Sequence, residues 1–131
     1  VYIEEYKRNY DKIEIIHNIE DGLYVNFDHS YLDIIFNNLF KNSIEALIST
    51  NNPAIDITLK KIDKKLILTF FDNGPGYDGV IDDLIKPYFS TKNSSGLGLS
   101  LINKIITDNS YKMNITTNSY SGFKIEIIFY D

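Results

Sequence analysis

The order of apolar patterns predicts an α+β fold, a two-layer α/β sandwich in which about three helices cover one face of a mixed, mostly antiparallel sheet. Strand-like stretches come in neighbouring pairs joined by short turns, which favours antiparallel pairing. Two longer stretches with helical periodicity separate these pairs. The chain has 131 residues, of which 44% are hydrophobic. This is enough for one domain with its own core.

The composition excludes several classes of function. Without cysteine, the chain has no disulfide framework, thiolate metal site or cysteine nucleophile. The net charge is −5 and the basic residues form no stripe along the sequence, so we expect no nucleic-acid partner. No apolar run approaches the roughly 20 residues of a membrane span. We therefore predict no membrane segment in this chain and a cytoplasmic location, with membrane attachment of a longer parent protein left open.

The first eleven residues differ from the rest. Tyr2, Tyr6 and Tyr10 recur every four positions among charged residues, which is typical of one face of a helix. We interpret residues 1–11 as a linker or the end of an upstream helix, and residues 12–131 as the domain proper.

The next segments are interpreted as two strands and a long helix. Residues 13–19 are rich in isoleucine and predict a strand, and residues 23–27 alternate and predict a second strand. The helix is predicted over 31–49, with Asp28 or Ser30 as its N-cap.

The remaining elements follow the same patterns. A strand pair, a short helix ended by Pro87, a longer helix and a final strand pair are expected. The first strand pair is 55–59 with 66–71, the short helix is 80–85 and the final strand pair is 112–117 with 123–130. The longer helix is 98–109, and its apolar positions are Leu99, Leu101, Ile102, Ile105 and Ile106.

Two asparagines on the long helix are candidate ligand-binding residues. Asn38 and Asn42 are four apart, so they share one helix face, which Glu45 extends. The pair is either a solvated face or a source of amide oxygens for Mg²⁺, a cation that prefers hard oxygen ligands.

A glycine turn follows a strand that is apolar through Phe71. Asp72, Gly74 and Gly76 are either an ordinary turn or part of a binding site. In a site, the carboxylate would accept a hydrogen bond from an exocyclic amino group, and the glycines would let a flat ring approach the backbone.

A second glycine cluster precedes the second long helix. Gly96 and Gly98 lead into this helix, where exposed N–H groups form either an anion site or only a cap. Neither a dinucleotide-binding fingerprint nor a P-loop is present, because position 101 is Leu and no Gly-Lys-Ser/Thr occurs.

Together and in this order, the motifs resemble those of the ATP-binding catalytic domain of bacterial sensor histidine kinases, in the GHKL superfamily shared with gyrase B and MutL. Residues 38–46 resemble the N box, 72–76 the first glycine box, 86–92 (KPYFSTK) the F box and 94–99 the second glycine box. The resemblance implies a Bergerat-type sandwich. It also implies that residues 89–97 form a lid over the nucleotide, and this short lid is similar to that of nitrogen-regulation sensors.

The resemblance implies a role for each matching residue. Asp72 would bind the adenine amino group, and Asn42 would ligate Mg²⁺, with Asn38 near the phosphates as the second catalytic asparagine. Lys41 and Lys92 would either neutralise the γ-phosphate or be solvated surface lysines. The implied nucleotide-binding set is Asn38, Lys41, Asn42, Asp72, Gly74, Gly76, Phe89, Lys92, Ser95, Gly96, Leu97, Gly98 and Leu99. Ser94 departs from the glycine that usually opens the second glycine box.

Position 38 distinguishes a kinase from a hydrolase. The resemblance implies that ATPase relatives have a glutamate there as general base, whereas the amide of Asn38 cannot take a proton. The family's acceptor histidine precedes an acidic residue, which is true of neither His17 nor His29.

We therefore expect ATP and Mg²⁺ as ligands, and the acceptor on an upstream dimerisation domain, with a response regulator as partner. Alternatives are a serine kinase of the anti-sigma-factor type, a hydrolysing ATPase of the same superfamily, or a non-catalytic module.

Overall fold

The structure, a computed structural model, describes residues 2–10, 12–87, 98–118, 120 and 122–130. The described elements are three α-helices, five strands and one short 3-10 helix. In chain order they are α1 (Tyr2–Asn9), β1 (Glu14–Ile19), α2 (His29–Ala46), β2 (Ala54–Ile62), β3 (Lys65–Asp72), the 3-10 helix (Ile81–Ile85), α3 (Gly98–Asp108), β4 (Lys112–Asn118) and β5 (Gly122–Tyr130).

The strands form one sheet in the order β1-β2-β3-β5-β4. β1 pairs parallel with β2, and the other three pairings are antiparallel. The predicted α+β sandwich with a mixed, mostly antiparallel sheet is confirmed. The predicted pairs 55–59 with 66–71 and 112–117 with 123–130 are present as β2–β3 and β4–β5.

The second predicted strand, over residues 23–27, is wrong. Residues 23–28 have no regular secondary structure. Leu23, Val25 and Phe27 alternate because they pack against the core, whereas Tyr24 is 90% exposed. The partner of β1 is instead β2, and the two strands are parallel. Parallel strands need a crossover connection, which α2 provides here.

Helix α2 begins two residues earlier than predicted and ends three residues earlier. The side chain of Asp28 is the N-cap, since it accepts hydrogen bonds from the N–H and the hydroxyl of Ser30. This carboxylate at the helix start satisfies an N–H group that has no partner within the helix.

The core lies between the helices and one face of the sheet. Along β3, alternate residues are buried, and the last of them is Asp72 at the end of the strand. Because the side-chain period of a strand is two, Asp72 lies on the same face as Leu66, Leu68 and Phe70, beneath the helices. From α3, Ile102, Ile105 and Ile106 enter the core, but Leu101 is 42% exposed, so its predicted place on the apolar face is wrong.

Helix α1 packs on α2 through the tyrosines of its repeating face. Tyr2 stacks on Phe36 with ring centroids 4.9 Å apart, and Tyr6 stacks on Phe40 at 4.0 Å. The hydroxyl of Tyr2 also donates a hydrogen bond to Asp33. None of the helices in the described ranges is long and apolar enough to cross a membrane.

Candidate functional site

The two asparagines of α2 face the start of α3. The side-chain amide of Asn38 donates a hydrogen bond to the carbonyl of Ile34 at 2.7 Å, which fixes its orientation. A Cβ placed on Gly98 would lie 2.9 Å from Oδ1 of Asn38 and 3.6 Å from Nδ2 of Asn42. A side chain at this position would therefore crowd the amide of Asn38, whereas the distance to Asn42 is an ordinary contact.

Asp72 is a buried carboxylate that accepts hydrogen bonds from Ser43 and Gly74. Asp72 is only 3% exposed. The hydroxyl of Ser43 donates to Oδ2 at 2.8 Å, and the N–H of Gly74 donates to Oδ1 at 3.0 Å. A carboxylate at this depth would be very unfavourable without hydrogen bonds, so these donors stabilise its buried position.

The glycine turn after β3 lies against the β4–β5 hairpin. Gly76 has φ of +71°, and a Cβ there would lie only 2.0 Å from the carbonyl oxygen of Asn118. The hydroxyl of Thr117 accepts from the N–H of Tyr77 at 3.0 Å and donates to the carbonyl of Gly122 at 2.6 Å. The hairpin therefore fixes the backbone that follows Asp72.

Asn73 fixes the other side of this turn. Its side-chain oxygen accepts from the N–H of Ala54 at 2.7 Å, and its amide group donates to the carbonyl of Asn52 at 3.0 Å. The end of β3 is thus tied to the start of β2, so Asp72 sits on a rigid support.

Lys41 and Glu45 lie on the side of α2 that faces α1. With Tyr6, Tyr10, Asn37 and Ile44 they line an open groove of about 400 Å³. Glu45, which we expect to extend the Asn38–Asn42 face, therefore also borders α1.

Several predicted site residues lie outside the described part of the chain. These are Phe89, Lys92, Ser95, Gly96 and Leu97. Of the predicted F box, Lys86 and Pro87 are described. The side chain of Lys86 pairs with Asp83 at 2.6 Å, and this hydrogen bond and charge raise the pKa of the lysine.

Two polar residues of the site, Ser43 and Thr117, were not predicted from the sequence. Ser43 follows Leu39 by four positions and Ile35 by eight, so it occupies an apolar face of α2. A serine at a core position of a helix was a detectable signal, because a buried hydroxyl needs a hydrogen-bond partner. Thr117 gave no such signal in a strand where threonine is common.

The fold is a mixed sheet covered by helices, and it brings together an asparagine pair, a buried aspartate at a strand end and a glycine at a helix start. This combination is typical of one class of nucleotide-binding domain. Residues 27–130 match the family described as histidine kinase-, DNA gyrase B- and HSP90-like ATPases. The chain belongs to this family, whose histidine kinases bind ATP.

Within the family, the chain is a catalytic domain of the sensor histidine kinase type. It is 37% identical over 121 residues to the sensory histidine kinase/phosphatase NtrB of Rhizobium leguminosarum bv. phaseoli, covering 79% of this chain and 31% of that protein. The nucleotide-free catalytic domain of histidine kinase ThkA is 25% identical, with a TM-score of 0.82 and coverage of 98% and 91%.

Histidine kinase ThkA has also been solved in complex with the response regulator protein TrrA. That structure is 26% identical with a TM-score of 0.78, and the match covers 98% of this chain and 36% of the kinase. The chain spans less than a third of the length of the curated relatives it matches.

Proposed function

We propose that this domain binds Mg-ATP and transfers its γ-phosphate to a histidine on a dimerisation domain outside this chain, in the cytoplasm. The observation that carries the proposal is the arrangement along α2. Asn38 and Asn42 meet the start of α3, and the next residue, Ser43, bonds to the strand-end carboxylate of Asp72. One helix therefore joins a phosphate end and a base end.

At the base end, Asp72 would accept a hydrogen bond from the amino group of adenine. An ionised carboxylate has only acceptors to offer, which suits an amino donor. Gly74 and Gly76 would line the base, where the absence of a side chain lets a flat ring approach the backbone.

At the phosphate end, the donor chemistry fits Mg²⁺. Within the described ranges, no three His, Cys, Asp or Glu side chains cluster to form a protein-only metal cage. The amide oxygen of Asn42 would instead share the ion with phosphate oxygens and water, as hard Mg²⁺ prefers. When bound, the ion neutralises charge on the phosphates.

The start of α3 would hold the phosphates themselves. N–H groups at the first turn of a helix have no partner within the helix and favour an anion. Gly98 at this helix start lies beside Asn38 and Asn42, and Leu99 follows it. The proposed lid residues Phe89, Lys92, Ser95, Gly96 and Leu97 precede this helix, and Lys41 remains a second candidate for the γ-phosphate.

The amide of Asn38 favours transfer to a protein over hydrolysis. Its nitrogen donates to Ile34, and an amide has no basic group that can take a proton from water. Bound ATP would therefore be hydrolysed slowly, whereas a histidine side chain can attack it because its imidazole is largely neutral near pH 7. Catalysis then depends on positioning and charge stabilisation.

The partners follow from the relatives and from α1. ThkA forms a complex with a response regulator, and we propose the same class of partner for the parent of this chain. We also propose that residues 1–11 are the end of a helix from the dimerisation domain or a linker to it, and that residues 12–131 form the catalytic domain.

Labelled ATP tests the proposal when it is added to this chain together with a separately purified dimerisation domain of its parent. We expect an acid-labile, base-stable label on that domain, and little phosphate release from the chain alone. An acid-stable label on a serine would indicate the anti-sigma-factor type of kinase. Steady phosphate release would indicate an ATPase, and no ATP-dependent thermal shift would indicate a non-catalytic module.

A further inference from the structure

We propose that Ser43 is a positioning residue that makes the site selective for adenine, by holding the carboxylate of Asp72 as a fixed pair of acceptors. This inference rests on the proposed function. Its basis is the 2.8 Å hydrogen bond from Oγ of Ser43 to Oδ2 of Asp72. Both residues are almost fully buried, at 4% and 3% exposure, so water competes little for this bond.

Two donors from different elements define the plane of the carboxylate. The torsion that turns a carboxylate is broad, so one hydrogen bond does not fix its plane. The N–H of Gly74 holds Oδ1 from the turn after β3, and Ser43 holds Oδ2 from α2. Removing the hydroxyl would take away the donor that α2 provides and leave Oδ2 without it.

The direction of the hydrogen bond matters for selectivity. A hydroxyl that donates to Asp72 favours the ionised carboxylate, which then presents acceptors alone. Adenine carries an amino donor at its 6-position, whereas guanine and hypoxanthine carry a carbonyl acceptor. A site built to accept a hydrogen bond rejects a ligand that lacks the donor, because a buried polar group is then left unpaired.

Ser43 also joins the two ends of the site. It follows Asn42 directly in α2, so the same helical turn carries the proposed metal ligand and the support for the base-reading carboxylate. A shift of α2 would move both together.

A ligand-and-variant comparison by isothermal titration calorimetry tests this role. The ligands are the ATP analogue AMPPNP and its purine riboside counterpart, which lacks only the 6-amino group. For Ser43→Ala we expect AMPPNP to bind about 5- to 30-fold more weakly. The purine riboside analogue should change by less than about twofold. Ser43→Thr keeps the hydroxyl and should retain the wild-type preference for AMPPNP.

The two ligands separate a positioning role from a merely structural one. An equal loss for both analogues, or no loss for either, overturns the inference and leaves the proposed function standing. If Ser43→Ala fails to fold, Ser43→Cys replaces it, since a thiol has nearly the same shape but is a weak donor. Wild-type protein that binds neither analogue would overturn the proposed function as well.

Discussion

Replacing Asp72 with asparagine tests the base end of the site with little change in shape. The amide oxygen of the variant can still accept from the N–H of Gly74. Its NH₂ group would then face Ser43, whose hydroxyl can rotate to accept. The hydrogen bonds with Gly74 and Ser43 are therefore preserved, and we expect the fold to tolerate the change.

The loss should appear in nucleotide affinity instead. In the variant, one of the two acceptor positions becomes an NH₂ donor, and a hydrogen bond from adenine to the remaining amide oxygen is no longer assisted by a charge. Because Asp72 is only 3% exposed, water cannot replace the lost bond. We expect a loss of about 1–3 kcal/mol in binding free energy, which is about 5- to 150-fold in affinity.

Calorimetric titration with AMPPNP measures this loss, and thermal unfolding monitored by circular dichroism checks the fold. Asp56→Asn is the matched control, because Asp56 lies between buried Ile55 and Ile57 on β2 and points to the opposite face of the sheet. An inosine analogue, with a carbonyl acceptor at the 6-position, should lose less affinity than the adenine analogue. Unchanged affinity for AMPPNP in folded Asp72→Asn protein would refute the assignment.

Three further changes test other parts of the domain. Asn42→Ala should weaken AMPPNP binding at least about tenfold in Mg²⁺ and leave binding in EDTA unchanged, as titration in the two buffers will show. Tyr6→Ala removes the ring that stacks on fully buried Phe40, and it should lower the free energy of unfolding in urea by about 2 kcal/mol. Tyr24→Ala is the control, because Tyr24 is 90% exposed and its removal should have almost no effect. Asp28→Ala removes the N-cap of α2, whose pKa is lowered by the N–H and hydroxyl that donate to it. A carboxylate whose pKa is lower in the folded state than in the unfolded state stabilises the fold above the unfolded pKa, and this stability is lost as the pH falls through the folded pKa. The difference in free energy of unfolding in urea between wild type and this variant should therefore be largest near pH 6 and shrink below about pH 4.

Local patterns predicted most of the elements. The hairpins β2–β3 and β4–β5 follow from alternation around short turns, and these interactions join residues that are near in sequence. The error at residues 23–27 has a physical cause. Alternating burial occurs wherever an extended segment lies along a core, with or without a neighbouring strand, so it did not reveal that β1 pairs with β2.

The site was predictable where its residues share one element. Asn38 and Asn42 share a helix face because of their spacing, and Asp72 was indicated by its place at the end of an apolar strand. The contact of Gly98 with both asparagines depends on how α3 packs against α2. The spacing of Ser43 indicated a buried hydroxyl, but its partner Asp72 lies 29 positions away and could not be identified from the helix pattern.

The sequence by itself determined the family resemblance, the class of fold and the order of the motifs, since each arises from spacing or periodicity within a short segment. Only the tertiary structure decided that Ser43 supports Asp72, that Thr117 fixes the glycine turn, and that β1 lies parallel to β2. The reason is that a side-chain hydrogen bond or a strand pairing between distant segments depends on the packing of whole elements, which no local pattern specifies.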